Sequence, residues 1–205
     1  MAAVAPVVMH ATLAAEDAAR ADFYALVARL LGDAPDAALL RTLSQSGPLA
    51  GASDLAAAWQ ALVDASSAMD GDAAREEYDG LFGGLGKAPV SIYAGHYTGA
   101  SAGDHPRVRI QRDLGALGLA HRSTTHPEDH LGALFDAMRV LVAGGAGRGP
   151  AKLAEQRRFF ETHVLPGASG FFAAVASARK ANYYRKVAAL GAAFLAIEAE
   201  SFQLD

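Results

Sequence analysis

Apolar side chains recur three and four positions apart along most of this chain, which is the spacing of one face of an α-helix. The pattern is clearest at residues 23–31 and again at 127–143. Pro166 and Gly167 are expected to end one helix before the next begins. The periodicity predicts nine helical segments, at about 21–32, 36–47, 53–69, 72–83, 107–118, 127–143, 151–164, 168–178 and 182–202.

No stretch gives convincing paired strands, so the predicted fold is an all-α bundle of about eight or nine helices. The length of 205 residues suits one domain, 1–205. Residues 83–106 interrupt the helical pattern with six glycines and two prolines. A long irregular connection inside a compact domain often carries function. We therefore expect 83–106 to be a hinge loop between N-terminal and C-terminal helical parts.

The composition narrows the function classes. The chain has no cysteine, which excludes disulfides, thiolate metal sites, iron–sulfur clusters and a cysteine nucleophile. Its formal net charge is −4, whereas general nucleic-acid binders are usually basic. The N-terminus lacks the basic region of a secretory signal, and no apolar run approaches the ~20 residues of a membrane span. These features predict a soluble, cytoplasmic protein that could accept a cationic peptide.

The sequence Thr-His-Pro-Glu-Asp-His-Leu at 125–131 packs two histidines and two carboxylates into the start of a predicted helix. Thr125 and Glu128 match a capping box, and Pro127 is tolerated in a first turn. Asp129 suits the helix dipole, but its position lies almost opposite the apolar stripe. Asp129 should therefore face solvent, a neighbouring loop or a groove. The predicted cap does not require His130.

A metal site is the alternative interpretation of this motif. His126 and His130 are four residues apart, as in some zinc helices, but His126 would lie at the edge of the helix. A metal-dependent phosphohydrolase would use His126, Asp129 and His130. The chain shows no nucleophile elbow, phosphate-binding loop or other ligand spacing. We therefore expect no catalytic residues, no metal and no cofactor, and interpret the chain as a binding protein rather than an enzyme.

A second constellation lies at residues 76–93. Tyr78, Leu81 and Phe82 share one helix face and are followed by an aromatic loop. Carboxylates surround that face, at Glu76, Glu77 and Asp79. The pattern fits one wall of an apolar peptide groove with an acidic rim, or ordinary core packing.

These motifs, in this order, resemble the TorD/DmsD/NarJ family of redox-enzyme maturation chaperones. The resemblance runs over about residues 20–200. It rests on a helix end, a loop, a helix start and a later helical segment. The matching residues are Glu76, Tyr78, Leu81 and Phe82; Pro89, Ser91 and Tyr93; Pro127, Asp129, His130 and Leu131; and Gln156, Phe159 and His163.

The resemblance implies a TorD/DmsD-like, all-helical cytoplasmic chaperone. Such proteins bind the twin-arginine signal peptide, the body, or both, of a molybdenum-cofactor oxidoreductase subunit. They hold it for cofactor insertion and assembly before export, and act as monomers or as homodimers, some of them domain-swapped. Nitrate-reductase-type members serve a largely cytoplasmic enzyme, so export of the client stays open. A helical scaffold or regulator without an export client is the remaining alternative.

The motifs assign a peptide-binding site to this chain. The acidic residues suit the arginines of a signal peptide, and the aromatic face suits its apolar stretch. The expected site residues are Glu76, Glu77, Tyr78, Leu81, Phe82, Pro89, Ser91, Tyr93, Pro127, Asp129 and His130.

Overall fold

The computed structural model describes residues 13–83, 88–99, 105–119, 127–145 and 147–204. Thr125 and His126 lie outside these ranges, and with them part of the predicted capping box and of the metal hypothesis. Over the described residues the fold is all-α, which confirms the predicted class. Nine α-helices follow one another: α1 Ala15–Gly32, α2 Ala37–Ser44, α3 Asp54–Ala68, α4 Gly71–Phe82, α5 Pro106–Ala116, α6 Leu131–Ala143, α7 Leu153–Phe159, α8 Leu165–Ser177 and α9 Tyr183–Leu204.

Short polar side chains start three of the early helices. Asp36, Ser53 and Asp70 each accept a hydrogen bond from the backbone N–H three residues on, at 2.8, 3.2 and 2.8 Å. This bond satisfies one of the N–H groups that a helix start leaves without a partner, and is worth about 1 kcal/mol. The starts of α2, α3 and α4 therefore follow from local sequence.

The core forms where α1 lies along α6, with α9 packed against α3 and α8. The predicted stripe of α6 is confirmed as its buried face. In α1, Val27, Leu30 and Leu31 are buried as predicted, whereas Phe23 and Leu26 are half-buried and Tyr24 is buried instead. Gly132 marks their closest approach, because a Cβ there would lie 3.1 Å from the Gly32 nitrogen and 3.2 Å from the Ala28 oxygen. Each fully buried large side chain contributes roughly 1.5–3 kcal/mol. The buried residues of α6 are Leu131, Gly132, Leu134, Phe135, Met138, Leu141 and Val142.

The expected break at Pro166 and Gly167 is wrong. A π-helical segment, Phe160–Val164, joins α7 to α8 without interruption. Pro166 lacks an N–H and crowds the turn before it, and the wider turn absorbs this locally. The Leu165 N–H reaches back five residues to the Phe160 carbonyl.

The described part of the connection at 83–106 is packed into the fold. Residues 94–96 form a short 3₁₀ turn, and Val90, Ile92 and Ala94 are buried. A Cβ on Gly167 would lie 2.5 Å from the Ala94 Cβ, so this turn sits directly on α8. This packing fixes the connection against the start of α8. The hinge role stays a prediction.

Helix α9 is, among the described residues, the one segment long and apolar enough to cross a membrane. Buried residues make up 44% of its apolar window, and it packs against α3 and α8. The core helix of a globular fold passes the same test of length and composition.

Candidate functional site

Two of the sequence motifs meet at an isolated antiparallel bridge between Tyr93 and His130. The Ala94 N–H donates to the Asp129 carbonyl at 2.8 Å, and the Leu131 N–H donates to the Ile92 carbonyl at 3.0 Å. The structure thus brings the loop and the helix start together. We call this contact the loop–helix junction.

His130 is the N-cap of α6 and lies beneath the junction. Its Nδ1 accepts the Gly132 N–H at 3.1 Å, and the residue is 2% exposed. The Tyr93 ring packs edge-on against it, with centroids 5.7 Å apart. The prediction that the cap does not need His130 is wrong.

The predicted helix start at Pro127 is also wrong, because α6 begins at Leu131. Glu128 precedes the helix and cannot be the third residue of a capping box. It accepts a hydrogen bond from Gln111 of α5 at 3.3 Å instead. The physical reason is that the bridge to Tyr93 holds the backbone of His130 extended, so the helix starts only at Leu131.

Asp129 is 6% exposed, so the solvated interpretation of this residue is wrong. Its Oδ1 accepts a hydrogen bond from Nε of Arg107, on α5, at 2.9 Å. Its Oδ2 lies against Gly95, where an added Cβ would be 3.0 Å away. Asp129 therefore faces a neighbouring loop and helix. Sequence reasoning missed both Gly95 and Arg107.

Metal coordination finds no support in these contacts. The Asp129 carboxylate holds a guanidinium, and the Nδ1 lone pair of His130 is taken by a backbone N–H. Over the described ranges, no group of three or more histidines and carboxylates is arranged to hold a metal ion.

The aromatic face of α4 forms a continuous cluster with α8 and α9. Phe82 packs 5.1 Å from the Tyr184 ring and 5.6 Å from the Phe171 ring. The Tyr78 hydroxyl donates to the Leu31 carbonyl at 2.9 Å, and burial raises its pKa to about 12. Leu81 is fully buried, so core packing describes it. Tyr78 and Phe82 are half-buried.

The loop of the junction is fastened to this cluster. The Val90 N–H donates to the Leu81 carbonyl at 3.1 Å. The Tyr97 hydroxyl donates to the Ser91 carbonyl at 2.7 Å, and its ring lies 6.4 Å from Phe171. Along the chain, Pro89, Ser91 and Tyr93 follow the aromatic face and precede Asp129. Pro89 is exposed, and Ser91 and Tyr93 are half-buried.

Glu77 is not part of an acidic rim. Its Oε1 accepts the N–H groups of Asn182 and Tyr184 at 2.8 and 2.9 Å, and its Oε2 accepts that of Tyr183 at 3.0 Å. The carboxylate of α4 therefore caps α9, a role with no local signal in the sequence. Glu76 and Asp79, by contrast, are exposed.

The later motif of Gln156, Phe159 and His163 supports the opposite end of α5. Nε2 of His163 pairs with Asp113 at 2.9 Å, and the Phe159 ring packs 5.0 Å from the imidazole. Burial lowers the pKa of His163, and nearby Arg109 and Arg158 add to this effect, although the hydrogen bond to the Asp113 carboxylate opposes it.

This pair predicts that acidification destabilises the fold. Because the folded-state pKa of His163 lies below its unfolded value of about 6.5, the unfolded chain binds the proton first. The free energy of unfolding should fall as pH drops through about 6.5, as measured by urea denaturation between pH 7.5 and 5.5. His163→Gln should flatten this slope, and His96→Gln, an exposed control, should keep it. If the free energy of unfolding of His163→Gln depends on pH as in the wild-type chain, another titrating group causes this dependence.

Over its described residues the chain is an all-α protein with a buried carboxylate at a junction of loop and helix and half-buried aromatic rings on α4 and the loop. Residues 50–173, more than half of the chain, match the family model described as nitrate reductase delta subunit. The chain belongs to this family, and the resemblance to the NarJ/TorD-type chaperones is confirmed. The family is one of molybdoenzyme maturation chaperones, not of enzymes. Comparison with individual curated proteins gave no match.

Proposed function

We propose that this protein is a cytoplasmic, system-specific chaperone for a molybdenum-cofactor oxidoreductase subunit. It binds the twin-arginine signal peptide, the body of the subunit, or both, and holds the subunit for cofactor insertion and assembly before export. The family supports the general role, since its members mature molybdoenzymes. Binding of a twin-arginine signal peptide is the more specific part of the proposal.

One observation carries the peptide proposal: the Asp129 carboxylate, largely buried at the loop–helix junction, already binds a guanidinium at 2.9 Å. A charge-assisted bond to arginine is roughly twice as strong as a neutral one, and shielding from water strengthens it further. The same carboxylate can accept an arginine of the client.

The proposed contacts divide by exposure. Glu76, Asp79 and Pro89 are exposed, and can meet a client directly. Half-buried Tyr78, Phe82, Tyr93 and Pro127 offer a largely apolar surface to a helix-prone stretch, with half-buried Ser91 as a polar group beside it. Leu81, Glu77 and His130 hold this surface from below through core packing and caps.

Binding should be measured by fluorescence anisotropy with a synthetic peptide that carries two adjacent arginines followed by an apolar, helix-prone stretch. We expect saturable binding that weakens with added salt, since part of the attraction is between charges. A helical scaffold or regulator without an export client predicts no saturable binding. A domain-swapped homodimer through 83–106 is an additional proposal, checked by light scattering of the same sample.

A further inference from the structure

We infer that Arg107 is the resident occupant of the guanidinium site at Asp129, and that an arginine of the client takes its place and releases the first turn of α5. The inference rests on the proposed function, because it requires an arginine-bearing client. It adds a named competitor inside the chain and a movable element that reports binding.

The two partners differ in exposure. The Arg107 side chain is 56% exposed, whereas the Asp129 side chain is 8% exposed. The carboxylate is therefore anchored in the fold, and the guanidinium reaches it from the solvent side. Arg107 can leave without uncovering a buried apolar group, and another guanidinium can approach along the same side.

Helix α5 is attached in a way that permits such an exchange. Its buried residues are Ile110 and Leu114, both beyond the first turn. At the first turn, Val108 is 60% exposed, and one contact with the segment before α6 is the polar pair of Arg107 and Asp129. Release of that pair loosens the turn, while Ile110 and Leu114 keep the rest of α5 anchored.

The other end of α5 is fastened independently. Asp113 pairs with His163 at 2.9 Å, and Arg148 donates to the Leu117 carbonyl just after the helix. Neither contact involves the loop–helix junction. The C-terminal half can therefore act as the fixed end about which the first turn moves.

The first turn of α5 also touches the loop of the junction. A Cβ added to Gly95 would lie 3.0 Å from the Asp129 Oδ2 and 3.6 Å from the Pro106 Cγ. Loop, carboxylate and α5 meet at this point without room for one more methyl group. A client side chain that enters here must displace one of the three, and the first turn of α5 is the one held by an exposed ion pair.

The expected gain from removing the competitor is modest. An ion pair with one exposed partner favours its closed form by a factor of a few. While Arg107 occupies the site, the apparent affinity for the peptide is reduced in proportion to the fraction of molecules in which the site is free. Arg107→Gln should therefore tighten binding of the two-arginine peptide about three- to sixfold. Arg112→Gln is the matched control: it lies on the same helix, is 69% exposed and pairs with its neighbour Asp113. A general charge effect predicts equal gains in both variants.

Hydrogen exchange gives a second readout. The Val108 and Arg109 amides donate to the His105 carbonyl at 2.9 and 3.3 Å and close the first turn. Saturating peptide should speed exchange at these amides in the wild-type chain. In Arg107→Gln their exchange should already be fast and change little when peptide is added.

The outcomes separate this inference from the proposed function. If the wild-type chain binds the peptide and Arg107→Gln gains no more than Arg112→Gln, the inference is overturned and the proposed function stands. Unchanged exchange at the first turn on binding also overturns it. If neither the wild-type chain nor Arg107→Gln binds, the peptide-binding part of the proposed function fails and the inference fails with it.

Discussion

Asp129→Asn should weaken binding of the two-arginine peptide by about 30-fold while the chain stays folded. The substitution keeps the shape of the side chain but removes the charge that pairs with a guanidinium. Loss of one partner from a shielded charge pair costs about 2 kcal/mol or more, which corresponds to this change in affinity. Anisotropy titration measures the affinity, and circular dichroism checks the fold.

Asp136→Asn is the matched control for this substitution. It lies on α6, which begins two residues after Asp129, makes the same change in net charge and is an exposed residue paired with Arg139 at 2.6 Å. We expect its affinity to stay within a factor of two of the wild-type value, since surface charges act weakly. Equal losses of affinity in both variants would mean that Asp129 acts only through the net charge of the protein. His130 should not be combined with Asp129, because its ring caps α6.

Glu77→Gln should lower the free energy of unfolding by about 2 kcal/mol, the largest stability loss we expect from a partly exposed side chain. The carboxylate accepts three N–H groups of α9, and a glutamine would turn an NH₂ toward one of them. Hydrogen bonds to a charged group contribute about 1.5–3 kcal/mol. For a chain of this size the melting temperature should fall by about 4–8 °C.

Glu76→Gln provides the comparison, because Glu76 is the exposed neighbour on the same helix. Its effect should stay within about 0.5 kcal/mol. A similar loss in both variants would mean that charge on α4, not the cap of α9, is responsible. Urea denaturation of the two variants side by side distinguishes these cases.

The helices could be predicted from the sequence because their apolar residues repeat with the period of the helix. The buried stripe of α6 follows directly, as do the buried Val27, Leu30 and Leu31 of α1. Each of these features depends on residues within a few positions of one another. Local patterns are therefore enough to place them.

The errors fall where distant residues decide. The start of α6 depends on the bridge from His130 to Tyr93. The hydrogen bonds of Glu77 depend on a helix start 105 residues further along the chain. Pairing of Arg107 with Asp129 spans 22 residues and crosses from one helix to another. The spacing of residues along the sequence does not indicate such contacts. The order of the motifs indicated the family, but not which residues are exposed to a client.

The central claim is that this protein recognises arginine in a peptide. The most direct test is titration of the wild-type chain with the two-arginine peptide and with its counterpart in which both arginines are lysine. A planar guanidinium fits a carboxylate better than an ammonium group does, so we predict tighter binding of the arginine peptide by about fivefold or more. Equal affinity for the two peptides, or no saturable binding of either, would contradict the account.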